Sequence, residues 1–233
     1  TRGGEAGMIR CRRGSMFIMA QITLEIPLIL ASGSTIRKRM LERAGIAFTA
    51  MPPACDEEKL QSVITHWSID QQAEALAKEK AFSISGSHPE SMVLGADQIC
   101  ELNGKRFSKP GTHEKAAEQL RALQGQTHQL HTAACLFQGE ECLWKHSETV
   151  MLAMRDLSYD EVEAYVTLDQ PLQSCGSYKF ERLGRHLFSR VEGGYDAILG
   201  LPLLALLNFL YDKRLIRLDN RADIMADFAV KQG

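Results

Sequence analysis

The stretch LILASGSTIRKRMLERAGIAF, residues 28–48, opens as an apolar strand and continues as a helical pattern that ends near Gly45. The junction between them holds Ser32, Ser34 and Arg37. The first N–H groups of a helix lack intrahelical partners and the dipole there is positive, so anions are stabilised at that end. Serine hydroxyls and a guanidinium can hold phosphate or carboxylate. The stretch therefore predicts an anion site at the start of an α/β unit.

The rest of the chain continues the alternation of strands and helices. Residues 91–100 are apolar enough for a buried strand, and residues 70–85 carry apolar side chains at helical spacing. Asn-Gly at 103–104 predicts a tight turn, and β-type segments at 127–137 and 142–154 predict a long hairpin. Further helices are predicted at 34–45, at 112–123, from the capping box of Ser158 and Glu161, and from Pro202. These patterns predict an α/β protein with a mixed, partly antiparallel sheet flanked by helices.

The composition excludes several classes of protein. The 233 residues are 45% hydrophobic and 24% charged, which is ordinary for a folded domain. A net charge of −2 gives no basic surface for nucleic acid, and the most apolar run, LGLPLLALLNFLY, is shorter than the ~20 residues of a membrane span. We therefore expect neither a nucleic-acid nor a membrane partner. Six cysteines without a CxxC pair predict free thiols in a reducing cytoplasm and disfavour zinc.

The N-terminal residues differ from the rest. Residues 1–22 are rich in glycine and arginine and contain no apolar stretch of signal-peptide length. We predict a disordered extension there, followed by a single domain over residues 23–233. A basic interaction tail is the alternative for the extension.

Asp97 is the clearest candidate for chemistry. It follows the apolar run MVLGA. An aspartate at the carboxyl end of a buried parallel strand points into the crevice where α/β folds bind ligands. Asp97 is predicted to be a metal ligand or a general base, and a helix or turn cap is the alternative.

Four other charged side chains stand at informative places. Lys80 lies on the apolar stripe of its helix, where it either snorkels to the edge or reaches into a cleft. Lys109 precedes a proline that favours an extended backbone, with a plain surface lysine as the alternative. Glu57 belongs to an acidic pair that could also be loop solvation. Glu181, between an aromatic and a basic residue, could be salt-bridged or could face a polar ligand.

Taken together, these places resemble the Maf (septum-formation) family of nucleoside triphosphate pyrophosphatases. The resemblance runs from about Leu28 to Tyr211 and depends on the order and spacing of several segments. The segments that carry it are LASGSTIRKRMLERAGI, DEE at 56–58, LAKEKA at 76–81, LGADQIC at 94–100, SKP at 108–110, LQGQTHQLHTA at 123–133, GSYKFERLG at 176–184 and VEGGYDAILGLPL at 191–203.

The resemblance implies a fold and a reaction. The fold is an elongated mixed β-sheet flanked by helices, with two lobes around a deep cleft, related to the inosine-triphosphate pyrophosphatases and usually homodimeric. The reaction is hydrolysis of a nucleoside triphosphate between the α and β phosphates to the monophosphate and diphosphate. The cofactor implied is Mg²⁺ or Mn²⁺, and the role is housecleaning of the nucleotide pool.

The resemblance also assigns roles to individual residues. Glu57 and Asp97 would position metal or water, with Asp97 as the proton acceptor. Lys80 and Lys109 would add positive charge around the triphosphate. The residues implied to hold phosphates are Ser32, Ser34 and Arg37.

Further positions bear on the choice of base. Gln98 and Glu181 resemble the 7-methyl-GTP pyrophosphatase subgroup, because a carboxylate suits the donor edge of guanine. Ile36 departs from that subgroup, which has Trp there, and isoleucine cannot supply a cation–π contact to a methylated base. Ser108 and Arg182 stand where the family commonly has glycine. We predict a 7-methyl-GTP-like substrate, with dTTP or UTP as the alternative.

A second class of function stays open. A nucleotide-sensing regulator of septation could use the same pocket for binding without turnover. The joint presence of Asp97, Lys80, Lys109 and Glu57 favours an enzyme, because binding alone does not require a base beside so many cations.

Overall fold

The computed structural model describes residues 20–220, and strands and helices alternate through the first half of that range. The strands are Ala20–Leu24 (β1), Leu28–Ala31 (β2), Thr49–Met51 (β3), Met92–Leu102 (β4), Lys105–Phe107 (β5), Thr127–Gln138 (β6), Glu141–Met154 (β7), Phe188–Glu192 (β8) and Ile216–Asn220 (β9). The α-helices are Thr35–Arg43 (α1), Glu57–Val63 (α2), Ile69–Ser85 (α3), His113–Leu123 (α4), Tyr159–Asp169 (α5), Tyr195–Ile198 (α6) and Leu203–Asp212 (α7). Two short 3₁₀ segments lie at Cys175–Ser177 and Leu183–Leu187.

Seven of the strands form one mixed sheet. Its order is β3-β2-β4-β6-β7-β8, with β5 also paired to β4. Strand β2 is parallel to both β3 and β4, whereas β4, β6, β7 and β8 are successively antiparallel. Strands β1 and β9 form a separate antiparallel pair. The predicted α/β class, the partly antiparallel sheet and the long hairpin are confirmed.

Strand β4 is fully paired along one edge and interrupted along the other. On the first edge, β6 pairs with it from Met92 to Glu101. On the second edge, β2 reaches only to Leu94 and β5 begins opposite Cys100. Within residues 20–220, no strand therefore pairs with the backbone of residues 95–99 on that edge. We call this interval, residues 95–99, the gap.

Several helix ends follow from their first residues. Ser34 caps α1, and Ser158 with Glu161 forms the predicted capping box of α5. Helix α7 begins directly after Pro202, as predicted. Helix α2 was not predicted, because its seven residues bury no side chain and so carry no apolar stripe.

Helix α3 lies directly on β4 because Gly95 has no side chain. A Cβ there would lie 2.2 Å from the carbonyl oxygen of Ala77 and 2.7 Å from the amide nitrogen of Ala81. Alternate residues of a strand face the same side, so Asp97 faces α3 as Gly95 does. The close packing of helix on strand is what brings Lys80 within reach of Asp97.

Apolar side chains fill both faces of the sheet. Val93 belongs to the cluster under α3, which also includes Ala77. The next residue, Leu94, faces the other side and packs with Leu41 of α1 and Leu206 of α7. A third cluster joins β6 and β7 to α4 and α5. No helix within residues 20–220 has both the length and the apolarity needed to cross a membrane.

Two boundaries differ from the sequence-based expectation. Strand β4 continues to Leu102, so Asp97 lies in the middle of the strand and not near its carboxyl end. Asp97 nevertheless reaches a crevice, because its parallel neighbour β2 has already ended at Ala31. Strand β1 begins at Ala20 and so overlaps the extension predicted for residues 1–22, of which residues 1–19 lie outside the described part of the chain.

Candidate active site

Three charged side chains meet on the α3 side of the gap. Nζ of Lys80 lies 2.6 Å from Oδ1 of Asp97 and 2.8 Å from Oε2 of Glu57. The side chains of Lys80 and Asp97 are 10% and 13% exposed, whereas that of Glu57 is 39% exposed. The ammonium of Lys80 therefore lies between two carboxylates. The Asp97 end of this charged group is nearly buried, and the Glu57 end is open to solvent.

Local sequence explains how three separate elements deliver this group. Lys80 lies on the buried stripe of α3 and reaches inward to an ion pair, which is the second of its two predicted alternatives. Glu57 is the first residue of α2, and its neighbour Asp56 caps that helix by accepting from the amide of Lys59 at 3.0 Å. The acidic pair in the sequence thus divides into a structural residue, Asp56, and a residue of the charged group, Glu57.

Ser32, Ser34 and Arg37 lie beside the gap where β2 ends and α1 begins. Arg37 donates from Nε to the carbonyl oxygen of Gly200 at 2.7 Å and from Nη1 to Oγ of Ser32 at 3.3 Å. The amide of Ser34 donates to Oγ of Ser32 at 3.2 Å, while the Ser34 hydroxyl caps α1. Burial lowers the pKa of Arg37, and the negative charge of Asp97 partly offsets this. Arg37 is therefore close to Asp97, but its Nε is already occupied in holding Gly200.

Gln98 faces the opposite side of β4 from Asp97. Its Nε2 donates to Oγ1 of Thr132 at 2.9 Å and to the carbonyl oxygen of Ala197 at 2.8 Å. Its Oε1 accepts from Sγ of Cys175 at 3.3 Å. Both polar atoms of the amide are engaged within the chain, so Gln98 holds Ala197 and Cys175 against the sheet.

Cys175 is a residue that the sequence reasoning missed. Burial and the negative charge of Asp97 raise the pKa of its thiol to about 11, and the positive charges of Arg37 and Lys109 lower it in part. Lys109 itself is exposed. Asp97, Arg37 and Lys109 all act on the same thiol, so Lys109 lies in the neighbourhood of the other predicted residues.

Arg106, on β5, is the second residue that the sequence reasoning missed. Burial lowers its pKa and the charge of Asp97 raises it in part. In the register of the two strands Arg106 stands opposite Glu101, which lies four residues after Asp97. Paired residues share a face and strands alternate with period two, so all three side chains lie on the α3 side of the sheet. The Asn-Gly turn fixes that register, and this was the available sequence signal.

Besides Gln98, the two other positions predicted to bear on the choice of base have different surroundings. Ile36 packs against the apolar cluster that contains Leu201 and has no polar group to offer. Burial raises the pKa of the Tyr165 hydroxyl, and the nearby carboxylate of Glu181 adds to the effect. Within residues 20–220 the Glu181 carboxylate has neither an ion pair nor a hydrogen bond. Glu181 therefore keeps its acceptor oxygens available to a ligand.

Two further departures from the family pattern have structural explanations. Nε of Arg182 lies 3.0 Å from Oδ1 of Asp169, whose side chain is completely buried. The arginine thus neutralises a carboxylate that would otherwise be costly to bury. The carbonyl oxygen of Ser108 accepts from Nε2 of Gln119 at 3.0 Å, which ties the segment before Lys109 to α4.

A divalent cation has only a partial set of protein ligands here. Among residues 20–220, no three His, Cys, Asp or Glu side chains converge to hold a metal ion. Mg²⁺ commonly takes one or two carboxylates and completes its coordination with water and substrate phosphates. Glu57 and Asp97, both drawn to Lys80, provide such a pair of hard oxygen ligands. The residues present therefore fit a cation that arrives with a phosphorylated substrate.

A cavity of about 330 Å³ lies away from this group. Its lining residues are Lys78, Glu79, Phe82, Phe137, Glu140 and Cys142. None of them belongs to the charged group or to the gap. The convergence of charge, and not the volume of a cavity, identifies the candidate site.

Comparison with known proteins places the chain among relatives of one kind. A family model described as Maf-like protein matches residues 27–213. A Legionella pneumophila protein named nucleoside triphosphate pyrophosphatase is 37% identical over 198 residues, which cover 85% of this chain and 99% of the relative. Relatives with the same name from Nitrobacter hamburgensis and Ruegeria pomeroyi are 45% and 41% identical, covering 82% and 80% of this chain and 96% of each relative.

Proposed function

Because this chain belongs to the Maf-like protein family, we propose that it cleaves a nucleoside triphosphate between the α and β phosphates, giving the monophosphate and diphosphate. At the coarser level it is a nucleoside triphosphate pyrophosphatase, a hydrolase that acts on an acid anhydride, like the relatives that cover most of its length. The observation that carries the finer proposal is the Lys80 ammonium held 2.6 Å from Asp97 and 2.8 Å from Glu57.

Asp97 and the side chains around the gap would have different roles in hydrolysis. Lys80 holds Oδ1 of Asp97, so Oδ2 is the oxygen that would accept the proton of the attacking water. A base acts when it lies within about 2.6–3.2 Å of the proton donor. Arg37, Lys80 and Lys109 would offset the negative charge of the triphosphate and of the departing diphosphate, with Ser32 and Ser34 beside them.

The metal proposal rests on the same carboxylates. Glu57 would hold Mg²⁺ or Mn²⁺ together with the substrate phosphates, and Asp97 would be the second carboxylate ligand if it does not act as the base. A cation bound there would neutralise phosphate oxygens and polarise the anhydride bond. Lys80 keeps the two carboxylates turned toward each other.

The base specificity proposed is a purine of the 7-methyl-GTP kind. Its support is Glu181, whose carboxylate could accept from the N1–H and N2–H₂ groups of guanine. Gln98 gives less support, because its amide is engaged by Thr132 and Ala197. Ile36 would contribute apolar contact without a cation–π interaction.

The setting of the reaction is proposed from the family resemblance. The enzyme would act as a homodimer in the cytoplasm and remove modified nucleotides from the pool. The described cysteines are all free thiols, which accords with a reducing compartment.

A nucleotide panel tests the function. We expect magnesium-dependent release of diphosphate from 7-methyl-GTP to exceed that from GTP, CTP, dTTP and UTP, measured side by side as kcat/KM. A preference for dTTP or UTP would refute the base specificity while keeping the reaction. Thermal stabilisation by nucleotides without any product would instead favour a nucleotide-sensing regulator.

A further inference from the structure

Arg106 carries two hydrogen-bond donors that the described chain leaves unused. Its Nε and Nη2 are buried atoms, and neither has a hydrogen-bond partner. These two N–H groups form one edge of the guanidinium and point in parallel. That edge is the fork that arginine presents to two oxygens of a phosphate or carboxylate. A buried charged fork without an acceptor is uncommon in folded proteins.

Neither nearby carboxylate accepts a hydrogen bond from the fork in the described part of the chain. Glu101 stands directly opposite Arg106, but its Oε1 accepts from the amide of Gly104 and its Oε2 lies 4.0 Å from Nε2 of His131. Asp97 is close enough to act electrostatically on Arg106, yet its Oδ1 is bonded to Lys80. The fork is therefore open to an acceptor that a ligand supplies.

The position of the fork indicates what that acceptor is. Strand β5 borders the gap on the side opposite β2, and the chain leaving it leads to Lys109. Arg106 thus faces the side of the sheet that also holds Asp97 and Lys80, across the gap from Arg37. A ligand that spans the gap from Arg37 would need several oxygens in a row, which a polyphosphate provides.

We infer that Arg106 is a phosphate-binding residue of this site, holding two oxygens of one phosphate of the substrate tail through its Nε and Nη2. The inference rests on the proposed function, because it takes the ligand to be a triphosphate. Arg106 would add a phosphate-binding side chain on the β5 side of the gap to those proposed on the β2 side. On the β2 side, Arg37, Ser32 and Ser34 would then hold one end of the tail while Arg106 holds another part.

Binding of inorganic triphosphate, measured by calorimetry, tests the inference without requiring turnover. In Arg106→Gln we expect the dissociation constant to rise at least about tenfold, because a charge-assisted bidentate contact is lost. Arg106→Lys keeps the charge without the fork and should recover only part of the affinity. The matched control is Lys105→Gln, an exposed cation on the same strand, which should change the constant by less than about twofold.

The outcomes separate this inference from the proposed function. Weakened triphosphate binding in Arg106→Gln with an unchanged melting temperature supports it, even if no nucleotide is hydrolysed. If Arg106→Gln unfolds, the Arg106→Lys variant decides by the same measurement. Equal affinity in wild type and both variants, or no binding by wild type, overturns the inference. A nucleotide panel without product would overturn only the proposed function.

Discussion

Asp97 and Asp169 both lie close to cationic side chains, and their surroundings differ. The Asp169 side chain is completely buried, accepts from the hydroxyl of Tyr165 at 3.0 Å and is neutralised by Arg182. Asp97 is 13% exposed and has Lys80, Arg37 and Arg106 around it. The Asp169 carboxylate has one hydroxyl donor and one cation beside it, whereas Asp97 has three cationic side chains nearby and shares Lys80 with Glu57.

The two surroundings have different physical consequences. A buried carboxylate costs free energy unless it is paired, so pairing alone marks only a stable fold. Buried donors without an acceptor cost free energy as well, and Arg106 has two of them beside the gap. Unpartnered donors near Asp97, and a single ion pair at Asp169, distinguish a candidate anion site from an interaction that stabilises the fold.

The largest effect is expected from removing the charge of Asp97. In Asp97→Asn the fold should persist, but turnover should fall by at least about 100-fold, the scale of a lost general base. The measurement is steady-state release of diphosphate from the best nucleotide of the panel, with thermal unfolding as the check on folding. Near-normal turnover in a folded Asp97→Asn protein would remove this residue from the base role and erase the contrast between the two aspartates.

A buried histidine outside the gap should affect stability and not catalysis. His128 faces away from Asp97 and contacts the hydroxyl of Tyr178 at 2.9 Å. Burial lowers its pKa from 6.5 to about 4. The unfolded chain then binds the extra proton between these values, so the free energy of unfolding should fall by about 3 kcal/mol as pH drops from 6.5 to 4.

Urea unfolding at pH 7 and at pH 4.5 measures this effect. The control is His128→Gln, which cannot titrate and should show a smaller loss between the two pH values. An unchanged difference in the variant would mean that other groups, and not His128, produce the acid sensitivity.

The smallest effect is expected at Asp169, and it should be confined to stability. In Asp169→Asn the charge opposite Arg182 is lost, while an acceptor for Tyr165 remains. We expect the free energy of unfolding to fall by about 1–3 kcal/mol, the range for a hydrogen bond to a charged group. Turnover should change far less than in Asp97→Asn. A comparable loss of turnover in both variants would show that the two carboxylates are not functionally distinct.

Much of the fold could be predicted from periodicity. The local sequence shows the apolar spacing of helix α3, the strand pattern of the long hairpin and the proline before α7. Strand β8 and helix α2 could not be predicted, because short elements with little burial lack such a pattern. The long helices and strands were therefore easier to predict than the shortest ones.

The candidate site was predictable residue by residue but not as an arrangement. Lys80 could be placed on an apolar stripe and Asp97 at a buried strand. No local signal indicated that Nε of Arg37 would donate to the carbonyl oxygen of Gly200, 163 positions away in the chain. Cys175 lies in a segment without periodicity, and Arg106 required the hairpin register to be followed through the turn.

The unpaired backbone of the gap also bears on aggregation with other protein chains. An unpaired stretch of backbone is a template onto which a foreign strand can add, and this is one route to aggregation. At residues 95–99 the unpaired backbone is bordered by Lys80, Arg37 and Lys109. An incoming apolar peptide could not solvate the charges of these side chains. The positive charges proposed to bind a nucleotide would therefore also disfavour the addition of a strand from another copy of the chain at the gap.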